Sequence, residues 1–341
     1  MAEVGLVKFA TVALRVSQAV LPAYRSKFSK HRFRLPQLLA VLCLMRYEDW
    51  TFREAEVRLA EHQELRVALG LHSVPDYTTL YRFLLRLNEA VLEQTMGAVV
   101  RWLASQPSPQ ATVAVDATGL APGAISTFFV KRAKDRGEGF TWRHWLKWTM
   151  AVDVDRQLIV AQTARRGPTN DCATLRPLVD AAHQRVPLAL VLADAEFDSE
   201  RNHQHIRQTL QAQSVIPAKR GRAEWQIHGV RAHMRQDFPV ALYRQRALIE
   251  SLISAVKRKL SARAPGRSLE TQCLQALLLG IAYNIYRLWL FAWLGVPRMS
   301  TEPDDLKLFV NRNRDFIATR GFNISQITFR NTALRGIELN F

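Results

Sequence analysis

The stretch Gln106-Pro-Ser-Pro-Gln-Ala-Thr-Val-Ala-Val-Asp116 is where the pattern of the chain changes. Its first half has the proline and serine content of a linker, and its second half is a short apolar run that ends in an aspartate. Helical spacing dominates before this stretch, whereas strand-like and helical segments alternate after it. We therefore predict a helical domain over residues 1–105 and a second domain over residues 111–297.

The first domain is predicted to be all-helical. Apolar residues between Leu38 and Met45 recur at helical spacing, and Thr51-Phe-Arg-Glu54 has the spacing of a capping box. Further on, residues 74–86 begin with a turn signal and continue with helical spacing, which places Arg82 and Arg86 four apart on one face. That face is either the solvated side of an ordinary helix or the phosphate-contacting side of a helix-turn-helix unit.

The second domain is predicted to be of the α/β class. Its predicted elements, in chain order, are a strand at 111–116, strands at 145–154 and 157–164, a helix at 171–185, a strand at 188–194, a helix at 199–211, a short strand at 213–217 and a helix at 239–262. A mixed sheet with helices on its faces accommodates this alternation. Residues 298–341 follow as a C-terminal arm, a candidate for a small hairpin or a partner-docking segment.

Composition and charge point to a polyanionic partner. The 341 residues are 48% hydrophobic, enough to fill substantial cores, and 47 basic against 30 acidic residues leave a formal net charge of +17. The sequence pI of about 10.4 is typical of nucleic-acid-binding proteins. Charge alone leaves DNA, RNA and anionic lipid open. A basic segment at 128–143, predicted as a hairpin tip or loop, and a second basic loop at 219–222 border the predicted ends of the strands.

Cysteine usage and the N-terminal sequence indicate the compartment. The three cysteines are far apart and lack CxxC spacing, which fits a reducing environment and argues against a disulfide framework or a zinc finger. The N-terminus has an acid near its start and no charged-then-apolar signal layout. We expect a cytoplasmic protein.

One segment has the length of a membrane span. Residues 273–296 are almost wholly apolar, but Gln275, Asn284 and Arg287 interrupt them. Because an arginine in the middle of a span is costly in lipid, we predict a buried or interface helix, and no membrane partner.

Three acidic residues are candidates for chemistry. Asp116 and Asp194 each end an apolar strand, and Glu250 lies on the helix predicted at 239–262. If the first and fourth strands are parallel neighbours, the two aspartates lie side by side. Carboxylates that converge in this way hold paired divalent ions, and oxygen ligands favour Mg²⁺ or Mn²⁺ over Zn²⁺. Each aspartate alone has a structural alternative, as a helix cap or a turn former.

The helix around Glu250 has two distinct stripes. Tyr243, Arg246, Glu250 and Lys257 fall within about 60° of each other at 100° per residue. An apolar arc adjoins them, centred roughly 95° away, and consists of Ile249, Leu252, Ile253, Val256 and Leu260. One stripe is predicted to pack and the other to face a site. The structural alternative is a surface pair between Arg246 and Glu250, four residues apart.

These residues carry a resemblance to a known family. Tyr243, Arg246, Glu250 and Lys257 fill without departure the Y-x2-R-x3-E-x6-K spacing of the insertion-sequence DDE transposases with the YREK signature, and the motifs around Asp116 and Asp194 resemble that family's two catalytic aspartate motifs. The segment from Leu69-Gly-Leu71 to Leu80 resembles the N-terminal region of the group five members. The likeness is to the group four and five types and covers roughly residues 30–290.

One motif departs from the family pattern. In Asp194-Ala-Glu196-Phe-Asp198 an acid precedes the aromatic residue, where small or basic residues often stand. Glu196 and Asp198 are either neighbouring ligands or helix-cap residues, and we favour the cap. Asp153, Asp155 and Asp171 compete for the first metal site, but turn and cap roles explain them more simply.

The resemblance implies an RNase H-like catalytic core behind a DNA-binding helical domain. It implies that Asp116, Asp194 and Glu250 are catalytic and bind two Mg²⁺ (or Mn²⁺) ions. It further implies that Arg246 and Lys257 contact DNA phosphates and that Tyr243 stacks on or hydrogen-bonds to a displaced nucleotide. Lys147, on the second strand, is a weaker candidate for a phosphate contact.

The implied function is DNA transposition. We expect a homodimer on double-stranded DNA, associated with the nucleoid, that binds the terminal inverted repeats of its element, cuts the ends and joins them to target DNA. Two rivals remain open at this point: a DNA-binding regulator without catalysis, and an RNase H-fold nuclease that hydrolyses without joining strands.

Overall fold

The computed structural model describes residues 4–28, 31–103, 110–122, 145–167, 169–219 and 228–293. The predicted loop at 128–143, most of the loop at 219–222 and the arm at 298–341 lie outside the described residues. Residues Met1–Trp289 form one compact unit, which contains both the N-terminal helices and the sheet, and Leu290–Phe341 form a second.

The described residues before position 104 are helical, as the apolar spacing predicts. The α-helices there are α1 (Leu6–Gln18), α2 (Leu35–Glu48), α3 (Phe52–Glu61), α4 (Gln63–Ala68), α5 (Tyr77–Leu84) and α6 (Glu89–Leu103). The predicted capping box begins α3, where the Thr51 hydroxyl accepts from the Glu54 N–H at 3.2 Å and the Glu54 carboxylate accepts from the Thr51 N–H at 2.7 Å. Helix α2 is buried on nearly all sides, as expected of a helix that is apolar all round.

Helix α5 is shorter than the spacing predicts. It begins at the cap Asp76, whose carboxylate accepts from the Thr78 N–H at 2.7 Å, and it ends at Leu84. Arg82 therefore lies on the helix, while Arg86 lies beyond it and donates from Nε to the Arg82 carbonyl at 3.1 Å. Both side chains are exposed, but they do not form one helical face.

A five-stranded mixed sheet forms the centre of the second part. Its strands are β1 (Ala111–Leu120), β2 (Leu146–Asp153), β3 (Leu158–Arg166), β4 (Leu188–Ala193) and β5 (Gln213–Val215), in the order β3-β2-β1-β4-β5. The pairs β1–β2 and β2–β3 are antiparallel, and β1–β4 and β4–β5 are parallel. The first and fourth strands are thus parallel neighbours, the condition on which the approach of the two aspartates depends.

Helices accompany the strands in the predicted order. They are α7 (Leu175–His183), α8 (Glu200–Gln204), α9 (Gly229–Gln236), α10 (Val240–Tyr243), α11 (Ala247–Lys259) and α12 (Leu269–Trp293). The predicted helix at 199–211 continues past α8 as a π-helical turn. The helix predicted at 239–262 is interrupted, because a 3₁₀ turn at Arg244–Arg246 separates α10 from α11.

Helix α12 is a core helix on the same face of the sheet as Asp116. In the antiparallel pairs, Asp116 stands opposite Met150, and Met150 stands opposite Gln162, so these three side chains share a face. Gln162 donates to the Leu277 carbonyl of α12 at 2.8 Å. The helix comes this close because Gly280 has no Cβ, which would collide with the Gln162 amide.

The predicted burial of the long apolar segment is confirmed for its described side chains, which are buried from Cys273 almost continuously to Leu288. Within the ranges that the structure describes, we find no helix with both the length and the apolar character needed to cross a membrane.

Candidate active site

The sheet brings Asp116 and Asp194 to adjacent positions. The last parallel pair between β1 and β4 joins Val115 to Ala193. Asp116 is the next residue of β1, and Asp194 is the first residue after β4. Neighbouring strands are about 4.8 Å apart, so the two side chains begin close together. Asp116 does not end its strand as predicted, since β1 continues to Leu120 through pairing with β2.

Each aspartate uses one carboxylate oxygen for a local hydrogen bond. Asp116 Oδ1 accepts from the Ala117 N–H at 2.8 Å, and Asp194 Oδ1 accepts from the Glu196 N–H at 2.9 Å. Asp194 thus caps the short 3₁₀ turn at Ala195–Phe197, which is the structural alternative that strand-end aspartates offer. The cap occupies Oδ1 only, so Oδ2 of each aspartate is left for other partners.

Helix α11 supplies the third carboxylate. Its predicted apolar arc is buried, with Ile249, Leu252, Ile253, Val256 and Leu260 all in the core. The helix packs on β1, which places Glu250 over the strand that carries Asp116. The Glu250 side chain remains 59% exposed, so it does not pack into the core with the apolar arc.

Arg246 contacts all three carboxylates. Its Nη2 lies 3.2 Å from Asp116 Oδ2 and 3.7 Å from Asp194 Oδ2, and its Nη1 donates to Glu250 Oε1 at 2.6 Å. The guanidinium therefore marks the point where β1, the turn after β4 and α11 meet. The pair between Arg246 and Glu250 exists, but it is part of a larger cluster and not an isolated surface pair.

The cluster is unbalanced in charge. Three carboxylates surround one guanidinium, whose side chain is only 12% exposed. Its Nε is buried without a hydrogen-bond partner in the described part of the protein. An unsatisfied buried donor costs about 1–3 kcal/mol, so stability alone does not explain this arrangement.

Burial controls the ionisation of the two aspartates. It raises the pKa of Asp116 above the ordinary value, and this effect outweighs the opposing influence of Arg246. It likewise raises the pKa of Asp194, where the charge of Asp171 adds to the shift. Both carboxyl groups therefore ionise less readily than they would in water, and an added cation would favour their charged forms.

The donor set suits hard divalent ions. All three side chains offer carboxylate oxygens, the ligands that Mg²⁺ and Mn²⁺ prefer. In the described conformation the Arg246 guanidinium lies between them. Across those parts of the chain that the structure describes, no group of three or more Asp, Glu, His or Cys side chains has the arrangement needed to hold a metal ion. The residues fit the ions in two ways: their donor atoms are carboxylate oxygens, and they come from neighbouring elements of the fold.

The other stripe residues lie near the cluster. Tyr243 ends α10, is half-buried, and packs edge-on against Phe238 with ring centroids 5.0 Å apart. Burial raises the pKa of Tyr243. Lys257 lies two turns after Glu250 on α11, and burial lowers the pKa of its ammonium group. The charges of Asp194, Glu250 and Asp116 act on Tyr243, so Tyr243 borders the carboxylates. Arg82 and Arg86 belong to the N-terminal helical region.

Lys147 is not brought to this cluster. It stands opposite Gly119 in the register, so it points to the sheet face opposite that of Asp116. Its ammonium group donates to the Thr169 carbonyl at 2.9 Å and pairs with Asp171, and the side chain is almost wholly buried. The contacts of Lys147 are those of a structural ion pair.

The turn after β4 contains a second arginine–carboxylate cluster that the sequence pattern did not reveal. Arg231 of α9 binds Asp198 through two hydrogen bonds of 2.8 and 2.7 Å, and both side chains are buried. The preferred cap role is wrong for Glu196, whose carboxylate pairs with Lys219 at 3.0 Å. Asp198 is the C-cap of the 3₁₀ turn at Ala195–Phe197 through its backbone N–H, while Ser199 caps α8. Asp153 is a turn former, as predicted, and accepts from the N–H groups of the turn that follows it.

The fold and the site define a class: an α/β protein in which carboxylates from two parallel neighbours and one helix meet beside a basic stripe. Comparison with known families makes this more specific. The family model described as "Transposase DDE domain" matches residues 107–285, more than half of the chain. The chain therefore belongs to the DDE transposase domain family.

Other comparisons give more distant likenesses. Among solved structures, the chain is similar to a piggyBac transposase, determined by cryo-electron microscopy as a synaptic complex with hairpin DNA. The identity is 10%, the TM-score is 0.45, and the match covers 92% of this chain and 80% of that one. No curated protein matches the sequence.

Proposed function

We propose that this protein is an insertion-sequence transposase of the YREK type that binds the terminal inverted repeats of its element, cleaves the DNA at the ends and joins the freed 3′-hydroxyls to target DNA. The observation that carries the proposal is the meeting of Asp116, Asp194 and Glu250 around Arg246. Family membership supports the reaction class. The strand order β3-β2-β1-β4-β5 supports an RNase H-like core.

In this mechanism the three carboxylates hold the catalytic ions. Asp116 Oδ2, Asp194 Oδ2 and Glu250 would bind two Mg²⁺ or Mn²⁺ ions, which stabilise charge on the attacking and leaving oxygens of a phosphoryl transfer. The local hydrogen bonds to the Oδ1 atoms of the two aspartates fix their carboxylate planes. Glu250, on a helix that packs on β1, completes the set from the open side.

Cations and aromatic groups around the carboxylates would position the DNA. Lys257 and Arg246 would contact phosphates near the scissile bond, and Tyr243 would stack on or hydrogen-bond to a displaced nucleotide. The exposed Arg82 and Arg86 offer phosphate contacts on the N-terminal helices. The net charge of +17 supports a double-stranded DNA partner. We propose a homodimer that brings two ends together on nucleoid DNA in the cytoplasm.

Product analysis tests this proposal. The purified chain is incubated with Mg²⁺, duplexes that carry the element ends and a target plasmid, and the strands are resolved on a denaturing gel. We expect cleavage at the ends and strand-joined product. Nicking without joining would indicate a nuclease, and binding without any cleavage would indicate a DNA-binding regulator. Either result would overturn the proposal.

A further inference from the structure

Arg246 occupies an unexpected position for a residue that contacts DNA. Both of its terminal nitrogens bind protein carboxylates, and its side chain is largely buried. A guanidinium in this orientation does not present its fork to a phosphate. The position therefore needs an explanation beyond DNA contact.

The atoms that Arg246 contacts are those that divalent ions would need. Oδ1 of Asp116 and Oδ1 of Asp194 are taken by backbone N–H groups, and the Oδ2 atoms point to the guanidinium. Glu250 uses Oε1 for the same arginine. A cation that binds to these oxygens thus competes with Arg246 directly.

Charge makes this competition favour the ions. One guanidinium offers a single positive charge to three carboxylates, and the excess of negative charge attracts a divalent cation more strongly than a monovalent one. The buried Nε of Arg246 has no hydrogen-bond partner in the part of the chain that the structure describes. A phosphate beside the site would give the displaced guanidinium a complete set of partners.

We propose that Arg246 is an internal counter-ion: in the DNA-free protein it fills the space between Asp116, Asp194 and Glu250, and it leaves this space when divalent ions bind and DNA phosphate receives it. The inference rests on the proposed function for the identity of the ions and the DNA. It adds that ion binding and DNA binding are coupled through one side chain. Binding of divalent ions to the three carboxylates is thereby weak until DNA is present.

Removal of the competing charge tests the inference without any reaction. Mn²⁺ is added to the full-length protein in the absence of DNA, and free Mn²⁺ is followed by electron paramagnetic resonance. We expect Arg246→Gln to bind Mn²⁺ at least roughly fivefold more tightly than the wild type, the scale of a typical coupling between sites. Arg246→Lys, which keeps the charge, should stay close to the wild type.

Arg244→Gln is the matched control for general loss of positive charge. Arg244 is exposed, lies in the same 3₁₀ turn, and is two residues from Arg246. We expect Arg244→Gln to change Mn²⁺ affinity little. Unchanged or weaker Mn²⁺ binding by Arg246→Gln, or an equal gain in Arg244→Gln, would overturn the counter-ion inference and leave the proposed function intact. If the wild type and Arg246→Gln both fail to bind Mn²⁺, with and without DNA, the metal-dependent function itself is overturned.

A second measurement needs only the wild type, in case Arg246→Gln fails to fold. Phenylglyoxal modifies accessible guanidinium groups, and mass spectrometry locates the modified arginine. We expect saturating Mg²⁺, added without DNA, to increase the rate of modification at Arg246, because the bound ion displaces the side chain, and to leave the rate at Arg244 unchanged. Slower or unchanged modification of Arg246 with Mg²⁺ bound would contradict the inference.

Discussion

Two arginine–carboxylate clusters flank the turn after β4, and they differ in every respect that separates structure from function. Arg231 and Asp198 form a buried pair with two hydrogen bonds of 2.8 and 2.7 Å. Asp194 lies four residues before Asp198, and its partner Arg246 shares one charge among three carboxylates. Within the described part of the chain, the Nε of Arg246 has no hydrogen-bond partner. The first cluster is buried, whereas the second, the unbalanced cluster, includes the exposed carboxylate of Glu250.

The difference in burial and in hydrogen bonding distinguishes the two roles. A buried guanidinium that makes two hydrogen bonds to a buried carboxylate stabilises the fold only while both partners are present. An excess of carboxylates around one cation keeps an attraction for further cations, at a cost in stability. The predictions below test whether the two clusters behave in these opposite ways.

The largest effect is expected on chemistry at the unbalanced cluster. Asp116→Ala should reduce end cleavage and strand joining by about 10³-fold or more, as loss of one member of a catalytic unit does. Binding of the end duplex should remain nearly the same, because the N-terminal helices and Lys257 are unchanged. Gel-shift and cleavage assays on one preparation check both results, and persistent cleavage would remove Asp116 from the site.

The next effect concerns stability at the buried Arg231–Asp198 pair. Asp198→Asn should lower the free energy of unfolding by about 3–5 kcal/mol, because it removes the charge of one partner in a buried ion pair. Glu196→Gln is the control in the same turn. Its pair with Lys219 is exposed, so its loss should cost less than about 1 kcal/mol. Urea unfolding measures both, and equal losses for the two variants would contradict the distinction.

A smaller effect is expected on DNA affinity. Lys257→Gln should weaken binding to all duplexes alike and reduce the slope of log affinity against log salt by about 1, as loss of one phosphate contact does. Arg258→Gln removes a charge from the same helix but from a different face, so it should change the slope less. Fluorescence anisotropy over a salt series makes the comparison. Identical slopes for wild type and Lys257→Gln would exclude the contact.

The smallest effect is a pH-dependent gain in stability. Burial raises the pKa of Asp116 in the folded protein. The contribution of this group to wild-type stability is therefore fully present below its pKa in the unfolded chain, near 3.9. That contribution is lost as the pH rises through the pKa in the folded protein. Asp116→Asn removes that loss. The variant should exceed the wild type by up to about 1 kcal/mol at pH 7 and by nothing at pH 3.5.

Unfolding curves at the two pH values measure this difference, and Asp198→Asn should show no such gain. The prediction is wrong if Asp116→Asn is less stable than the wild type at pH 7 and this deficit is larger than at pH 3.5. That result would show that the carboxylate stabilises the fold.

Much of this architecture could be predicted from local pattern. Apolar runs that end at Asp116 and Asp194 predict strands, and the alternation of strands and helices predicts a mixed sheet. The apolar arc of α11 follows from helical spacing alone. These features depend on residues that are close in sequence or repeat with a fixed period, so periodicity captures them.

Features that depend on distant partners could not be predicted in this way. The extension of β1 past Asp116 includes Gly119 and relies on pairing with β2, so the apolar run alone predicts a strand that ends at Asp116. The Arg231–Asp198 pair joins residues 33 positions apart, and no local spacing indicates it. Arg246 was expected at phosphate, and only the assembled fold shows it among the carboxylates.

The most direct test of the account is a count of bound ions. Mn²⁺ bound to the protein with an end duplex is measured against the duplex alone, for the wild type and for a variant that combines Asp116→Asn, Asp194→Asn and Glu250→Gln. We expect two ions per wild-type chain and none above the DNA background in the variant. Equal binding by both proteins would show that these three carboxylates do not form the metal site.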